Sequence, residues 1–146
     1  MYLCSKLAYD KTLYLNILVK SMEKISWTKE YQEDLSERGE DGSYDYAYRY
    51  YIYWFSLPDK QKIKARRYTD TPDHCSLFIE LDDISGKTAL EKSASKRYIF
   101  AIVNFLLTKE GVKTVDYYNM GYKAIDLKKV KSNMKDVTFE EVKSDK

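Results

Sequence analysis

The chain has 146 residues and a mass of 17.3 kDa, the size of one domain. Its 44% hydrophobic and 33% charged content is globular rather than disordered, and its net charge of +2 lacks the basic excess of a typical nucleic-acid-binding domain. One His and two Cys remove most metal sites and most His-based catalysis. Tyrosine is the anomaly, with 15 residues against 5 Phe and 2 Trp.

No run approaches the ~20 apolar residues of a membrane span. The N-terminus lacks the basic-then-apolar order of a signal peptide. Cys4 and Cys75 share no CxxC spacing. Both are expected to stay reduced, in a cytoplasmic protein.

In chain order, Leu13, Ile17, Leu18, Met22 and Ile25 recur at helical spacing, with Asp10 as the cap. Trp27, Tyr31 and Leu35 are four apart and predict a second, narrow-striped helix. Gly39-Glu40-Asp41-Gly42 is a loop. Residues 44–57 open with Tyr44, Tyr46, Tyr48 and Tyr50 at alternate positions and read as a strand. A helix with Tyr44, Ala47, Tyr48, Tyr51 and Phe55 on one face is the rival.

Pro58-Asp59-Lys60 turns the chain into an alternating strand over residues 62–68. Residues 74–82 alternate Cys75, Leu77, Ile79 and Leu81 against Ser76, Phe78, Glu80 and Asp82. Three strands with short links predict an antiparallel meander.

Residues 88–110 predict one long helix. Leu90, Ala94, Tyr98, Ala101, Ile102, Phe105 and Leu106 form its apolar face. Thr88 and Glu91 suit a capping box, and Gly111 suits the stop. Residues 112–117 and 122–130 read as two short strands. Residues 137–142 hold one further strand pattern.

The expected class is α+β. It comprises an antiparallel sheet of about five strands, packed by an N-terminal helix or helix pair and one long helix after the third strand. Residues 1–132 make one domain, and residues 133–146 a polar, Lys-rich tail.

Constellations for chemistry are few. Gly86-Lys87-Thr88 lacks the upstream glycine of a phosphate loop, because that position is Leu81. His74 and Cys75 are strand neighbours, so their side chains point to opposite faces and cannot form a dyad. Glu80, Asp82 and Asp116 show no recognised two-carboxylate spacing. Glu141-Val142-Lys143 resembles half of a nuclease metal site but lacks an upstream partner. No catalytic group, metal or cofactor is therefore expected.

One region departs from a bland domain. Seven acids and one base fall in residues 30–45, and five bases with no acid in residues 60–67. Between them, residues 44–55 hold eight aromatics in twelve positions. Three readings compete: the aromatic layer of a sheet core, a protein-binding surface, and a platform for single-stranded nucleic acid.

Tyr48-Arg49-Tyr50-Tyr51-Ile52-Tyr53, with the basic strand after it, resembles the central strands of small ribosome-dependent ribonuclease toxins. The resemblance covers common strand residues only. The segment after Ser85 has no place in that fold, and no residue roles are carried over.

The expected function is non-enzymatic: a small inhibitor that occludes a protein partner, as bacterial toxin-immunity or phage counter-defence proteins do. The expected contact residues are Tyr44, Tyr46, Tyr48, Arg49, Tyr51, Tyr53, Lys62, Lys64, Arg66 and Arg67, with Glu37, Glu40 and Asp41. The alternative is a single-stranded nucleic-acid binder that stacks bases on tyrosines beside the basic strand. No membrane partner is expected.

Overall fold

Period two governs the chain from Glu23 onward, and it builds a sheet. In a computed structural model, residues 23–79, 90, 93, 95–119, 121–133 and 137–143 are described. The strands are β1 (Glu23–Leu35), β2 (Ala47–Ser56), β3 (Lys62–Tyr68) and β4 (His74–Phe78). Helix α1 (Lys96–Lys109) follows, then β5 (Thr114–Tyr118), β6 (Tyr122–Ala124), helix α2 (Leu127–Asn133) and β7 (Val137–Glu141). They form one seven-stranded sheet in the order β6-β5-β4-β3-β2-β1-β7.

This corrects the expected fold. The sheet is mixed rather than a five-stranded antiparallel one, and the described residues hold two short helices. Strands β1 to β4 form an antiparallel meander, and β5 pairs β6 antiparallel. However, β4 pairs β5 in parallel, and β1 pairs β7 in parallel. A parallel neighbour needs a long crossover, and α1 lies within the crossover from β4 to β5.

The expected helix on Trp27, Tyr31 and Leu35 is a strand. A spacing of four is a multiple of two, so it keeps residues on one face of a strand as well as of a helix. Ile25, Trp27, Thr28 and Tyr31 are good strand formers, and pairing with β2 decides the ambiguity. The strand expected over residues 122–130 also fails after Ala124. Asp126 Oδ1 accepts from the Lys128 amide at 3.0 Å, a capping contact at the start of α2. The rival helix for residues 44–57 is excluded by β2.

Leu13, Ile17, Leu18 and Met22 of the first helix pattern, the Gly86-Lys87-Thr88 turn, Glu91, Glu80 and Asp82 lie outside the described residues, while Ile25, the last residue of that pattern, lies in strand β1 rather than a helix. The long helix expected over residues 88–110 is not continuous: Ser93 and Ser95 are non-helical, and α1 starts only at Lys96, with Ser95 at its N-cap position. Gly111 sits beyond its end at φ 72°, where a side chain would be strained. The Val112 amide closes on the Leu106 carbonyl there, at 3.1 Å.

Alternation gives the sheet two unlike faces. One packs under the helices: Ile25, Tyr53, Phe55, Ile63, Ala65, Cys75, Leu77, Val115 and Tyr117 are buried against Ile99, Ile102, Val103, Phe105 and Leu106 of α1 and Val130 of α2. Ring packing knits its centre. Phe105 stacks on Phe139 at 4.5 Å and meets Trp27 edge-on at 5.0 Å. Tyr53 lies parallel to Phe55 at 6.1 Å. The start of α1 is tied to the β2–β3 turn, where Ser95 Oγ donates to Asp59 Oδ2 at 2.8 Å.

Cys75 is free and fully buried in this core. Burial pushes its thiol up to about 12, so almost no thiolate exists at neutral pH. In a Cys4→Ser background, Cys75 is expected to resist thiol reagents in buffer at pH 8 and to react at once in denaturant. Fast labelling of the folded protein would contradict this placement.

Candidate functional site

The second face of the sheet is different. Both described helices bury their side chains against the first face, so no described helix lies over this one. Cross-strand pairing arranges its residues in rows. One row runs Thr28, Trp54, Lys64, Phe78, Tyr118, Tyr122. The next runs Glu30, Ile52, Arg66, Ser76, Asp116, Ala124. Beyond it lie Gln32, Tyr50 and Tyr68, and then Asp34 opposite Tyr48.

The aromatics of this face remain wet: Tyr48 is 50%, Trp54 42%, Tyr118 43% and Tyr122 55% exposed. They also touch in series. Tyr46 stacks on Tyr48 at 5.8 Å, Tyr48 meets Tyr68 at 6.1 Å, and Tyr50 meets Tyr68 edge-on at 5.8 Å. At the other side, Phe78 meets Tyr118 at 6.1 Å, and Tyr118 meets Tyr122 at 5.1 Å.

Arg66 joins the two groups. Its guanidinium carbon is 4.9 Å from the ring centres of both Tyr68 and Phe78. Its Nη2 donates to Tyr122 Oη at 3.3 Å. Its Nε is buried with no hydrogen-bond partner among the described residues. Lys64 lies over the same Phe78 ring at 5.6 Å.

The structure splits the expected contact residues into three groups. Tyr46, Tyr48, Lys62, Lys64 and Arg66 share the second face. Arg49, Tyr51, Tyr53 and Arg67 point to the helix-covered face, because they sit at odd steps from the first group. Tyr44, Glu37, Glu40 and Asp41 lie at the tip of the β1–β2 hairpin.

The second group has structural partners. Tyr53 is fully buried; its Oη donates to Glu110 Oε1 at 2.9 Å and accepts from Arg67 Nη1 at 3.4 Å. Arg67 Nε donates to the Pro72 carbonyl at 2.6 Å. Tyr51 packs edge-on against Tyr31 and under Lys29. Arg49 pairs with Glu33 at 3.5 Å. None of these four side chains adds to the second face.

At the hairpin tip, Arg38 Nε donates to Tyr44 Oη at 2.9 Å. Asp41 Oδ1 accepts from the Ser43 hydroxyl at 2.6 Å and the Ser43 amide at 3.0 Å. Those bonds hold its carboxyl below the usual aspartate range.

Trp54, Tyr50, Tyr68, Phe78, Tyr118 and Tyr122 belong to the surface but were not among the expected contacts. Phe78 was legible as opposite in facing to Cys75 and Leu77. Tyr118 and Tyr122 reach the site only through the parallel pairing of β4 with β5, which no local pattern encodes.

The same face carries a His–Ser–Asp group. His74 Nε2 lies 3.2 Å from Asp116 Oδ2 and 3.4 Å from Ser76 Oγ, and Nδ1 lies 2.8 Å from Thr114 Oγ1. A relay needs the hydroxyl and the carboxylate on opposite ring nitrogens. Ser76 and Asp116 both meet Nε2, so Ser76 lacks relay geometry, whereas the Thr114 hydroxyl and the Asp116 carboxylate do lie on opposite ring nitrogens. Among the described residues no three His, Cys, Asp or Glu side chains are placed to hold a metal ion, and no helix is long and apolar enough to cross a membrane.

Compared with protein-family models, curated proteins and solved structures, the chain matches none.

Proposed function

We propose that this protein binds another protein through the second face of its sheet and acts by occluding it. One observation carries the reading: exposed Tyr48, Trp54, Tyr118 and Tyr122 surround an arginine held between two rings, on a face that no described helix covers. Tyr, Trp and Arg dominate interface hot spots, because rigid rings bury much area at little entropic cost. A sheet face offers breadth rather than a cleft, which suits blocking a partner over roughly 800 Å² per side.

Charge favours a protein over a nucleic acid. Lys62, Lys64 and Arg66 share the face with Glu30, Asp34 and Asp116. Mixed signs register a protein partner, whereas the carboxylates repel a run of phosphates. The acids at the hairpin tip add a steering rim. The nucleic-acid reading retains one supporting feature, namely three cations at alternate positions among stackable rings.

The test places a photo-crosslinking residue at Tyr48, at Trp54, or at exposed Lys109 on α1, in cells of the source organism. Covalent adducts with one protein are expected from the first two positions and not from Lys109. Adducts to RNA or DNA, or protein adducts only from Lys109, would overturn the reading.

A further inference from the structure

We infer that the partner presents an extended acidic segment to β3, with carboxylates at alternate positions meeting Lys62, Lys64 and Arg66. An apolar side chain of the same segment fills the groove beside Trp54. This rests on the protein-binding reading above and names the chemistry of the partner.

Three observations support it. First, the described cross-strand neighbours of these cations carry no acid: Lys62 faces Ser56, Lys64 faces Trp54 and Phe78, and Arg66 faces Ile52 and Ser76. Lys62, Lys64 and Arg66 form no ion pair with any described residue. A line of like charges one strand long is costly to the isolated fold and complementary to an acidic partner.

Second, Arg66 is preorganised. Tyr68 and Phe78 each lie 4.9 Å from its guanidinium carbon, and Tyr122 Oη accepts from Nη2 at 3.3 Å, so the group is held in place from three sides. A planar fork fixed in this way loses little entropy when a carboxylate docks on it.

Third, the spacing fits. Alternate residues of a strand repeat at roughly 6.6 Å, so an extended segment with acids at every second position matches the three cations. At the Lys62 end, Trp54, Thr28, Ser56, Lys62 and Val142 line a groove that accepts an apolar side chain.

Recognition here runs through side chains. Both edges of β3 are already paired, to β2 and β4, so a partner strand cannot add to its backbone. The footprint is three cations on one strand, bordered by Glu30 and Asp116. That suits a short segment better than a long phosphate track.

The test uses three probes at equal, low ionic strength: a short acetylated peptide alternating aspartate with phenylalanine, its counterpart with lysine for aspartate, and a single-stranded oligothymidylate. NMR titration reads the amides of β3 and the Arg66 side-chain Nε. The acidic peptide is expected to shift Lys64, Arg66, Tyr68 and Phe78. Arg66→Ala should weaken it about tenfold or more, and Lys64→Gln about threefold, as a rim charge does. Lys64→Gln also serves if Arg66→Ala disturbs the fold.

Equal binding of the lysine peptide, no binding of the acidic one, or tighter Arg66-dependent binding of the oligothymidylate would each overturn the inference. If the acidic peptide fails while Tyr48 and Trp54 still crosslink to a protein, the acidic segment falls alone. If no protein is crosslinked, the broader reading falls with it.

Discussion

Tyr53→Ala is expected to cost about 3–5 kcal/mol of stability, the usual range for deleting a large buried ring. Typical domains have about 5–15 kcal/mol in total, so the variant is expected to be largely unfolded at moderate temperature. The reason is local. Tyr53 is fully buried, lies parallel to Phe55, stacks on Trp27 at 6.4 Å and donates to Glu110. Glu110 also accepts from Lys29 Nζ at 3.0 Å, so one carboxylate just past the end of α1 gathers β1 and β2. Loss of the ring leaves a cavity under the helix, and loss of the phenol leaves that carboxylate short of a donor.

Tyr53→Phe separates the two effects. It keeps the ring and removes a hydrogen bond to a charged group, at about 1.5–3 kcal/mol. It also changes the pH profile. Burial, with the Glu110 charge adding to it, raises the Tyr53 phenol well above the ordinary tyrosine value of 10.0, while Arg67 opposes the rise. A raised folded value means that the stabilisation is complete below pH 10. It is lost as pH climbs beyond that, because the unfolded chain ionises first. Urea melts followed by circular dichroism should fall off above about pH 10 in the native protein. The slope should be shallower in Tyr53→Phe. Equal slopes would mean that the phenol is not held neutral by the fold.

The second large effect is on binding. Trp54→Ala and Tyr48→Ala should each weaken the partner complex by about 2 kcal/mol, roughly thirtyfold, as central aromatic anchors do. Both rings are about half exposed and lie on the second face, so their removal should move stability by no more than about 0.5 kcal/mol. The contrast with Tyr53, on the same strand, is the point. Trp54 and Tyr53 are neighbours, and the pleat sends one to the uncovered face and the other to the core. Calorimetry against the crosslinked partner, with urea melts beside it, checks both halves. Unfolding of Trp54→Ala would place that ring in the core instead.

Much of this was legible locally. Strong alternation marked β2, β3 and β4, and Cys75, Leu77 and Ile79 gave the buried face of β4 correctly. The same alternation already separated Tyr46 and Tyr48 from Tyr51 and Tyr53, since residues an odd number apart cannot share a face. Grouping all of them as contacts followed the density of tyrosines rather than the pleat. Trp27, Tyr31 and Leu35 misled because their spacing satisfies two periods. The parallel pairings of β5 and β7 were not legible, because they depend on crossovers and not on any residue in the strands. Tyr118 and Tyr122 therefore stayed hidden, although they complete the site around Arg66.

Binding through the second sheet face leaves a direct mark on its exposed rings. Hydroxyl-radical footprinting of the free protein and of the complex tests it most directly, because the exposed aromatics are themselves the reporters. Tyr31 is 49% exposed and lies on the helix-side face, so it serves as the internal control. Oxidation of Tyr48, Trp54, Tyr118 and Tyr122 is expected to fall on complex formation while that of Tyr31 does not. Protection of Tyr31 with Trp54 and Tyr122 left reactive would contradict it.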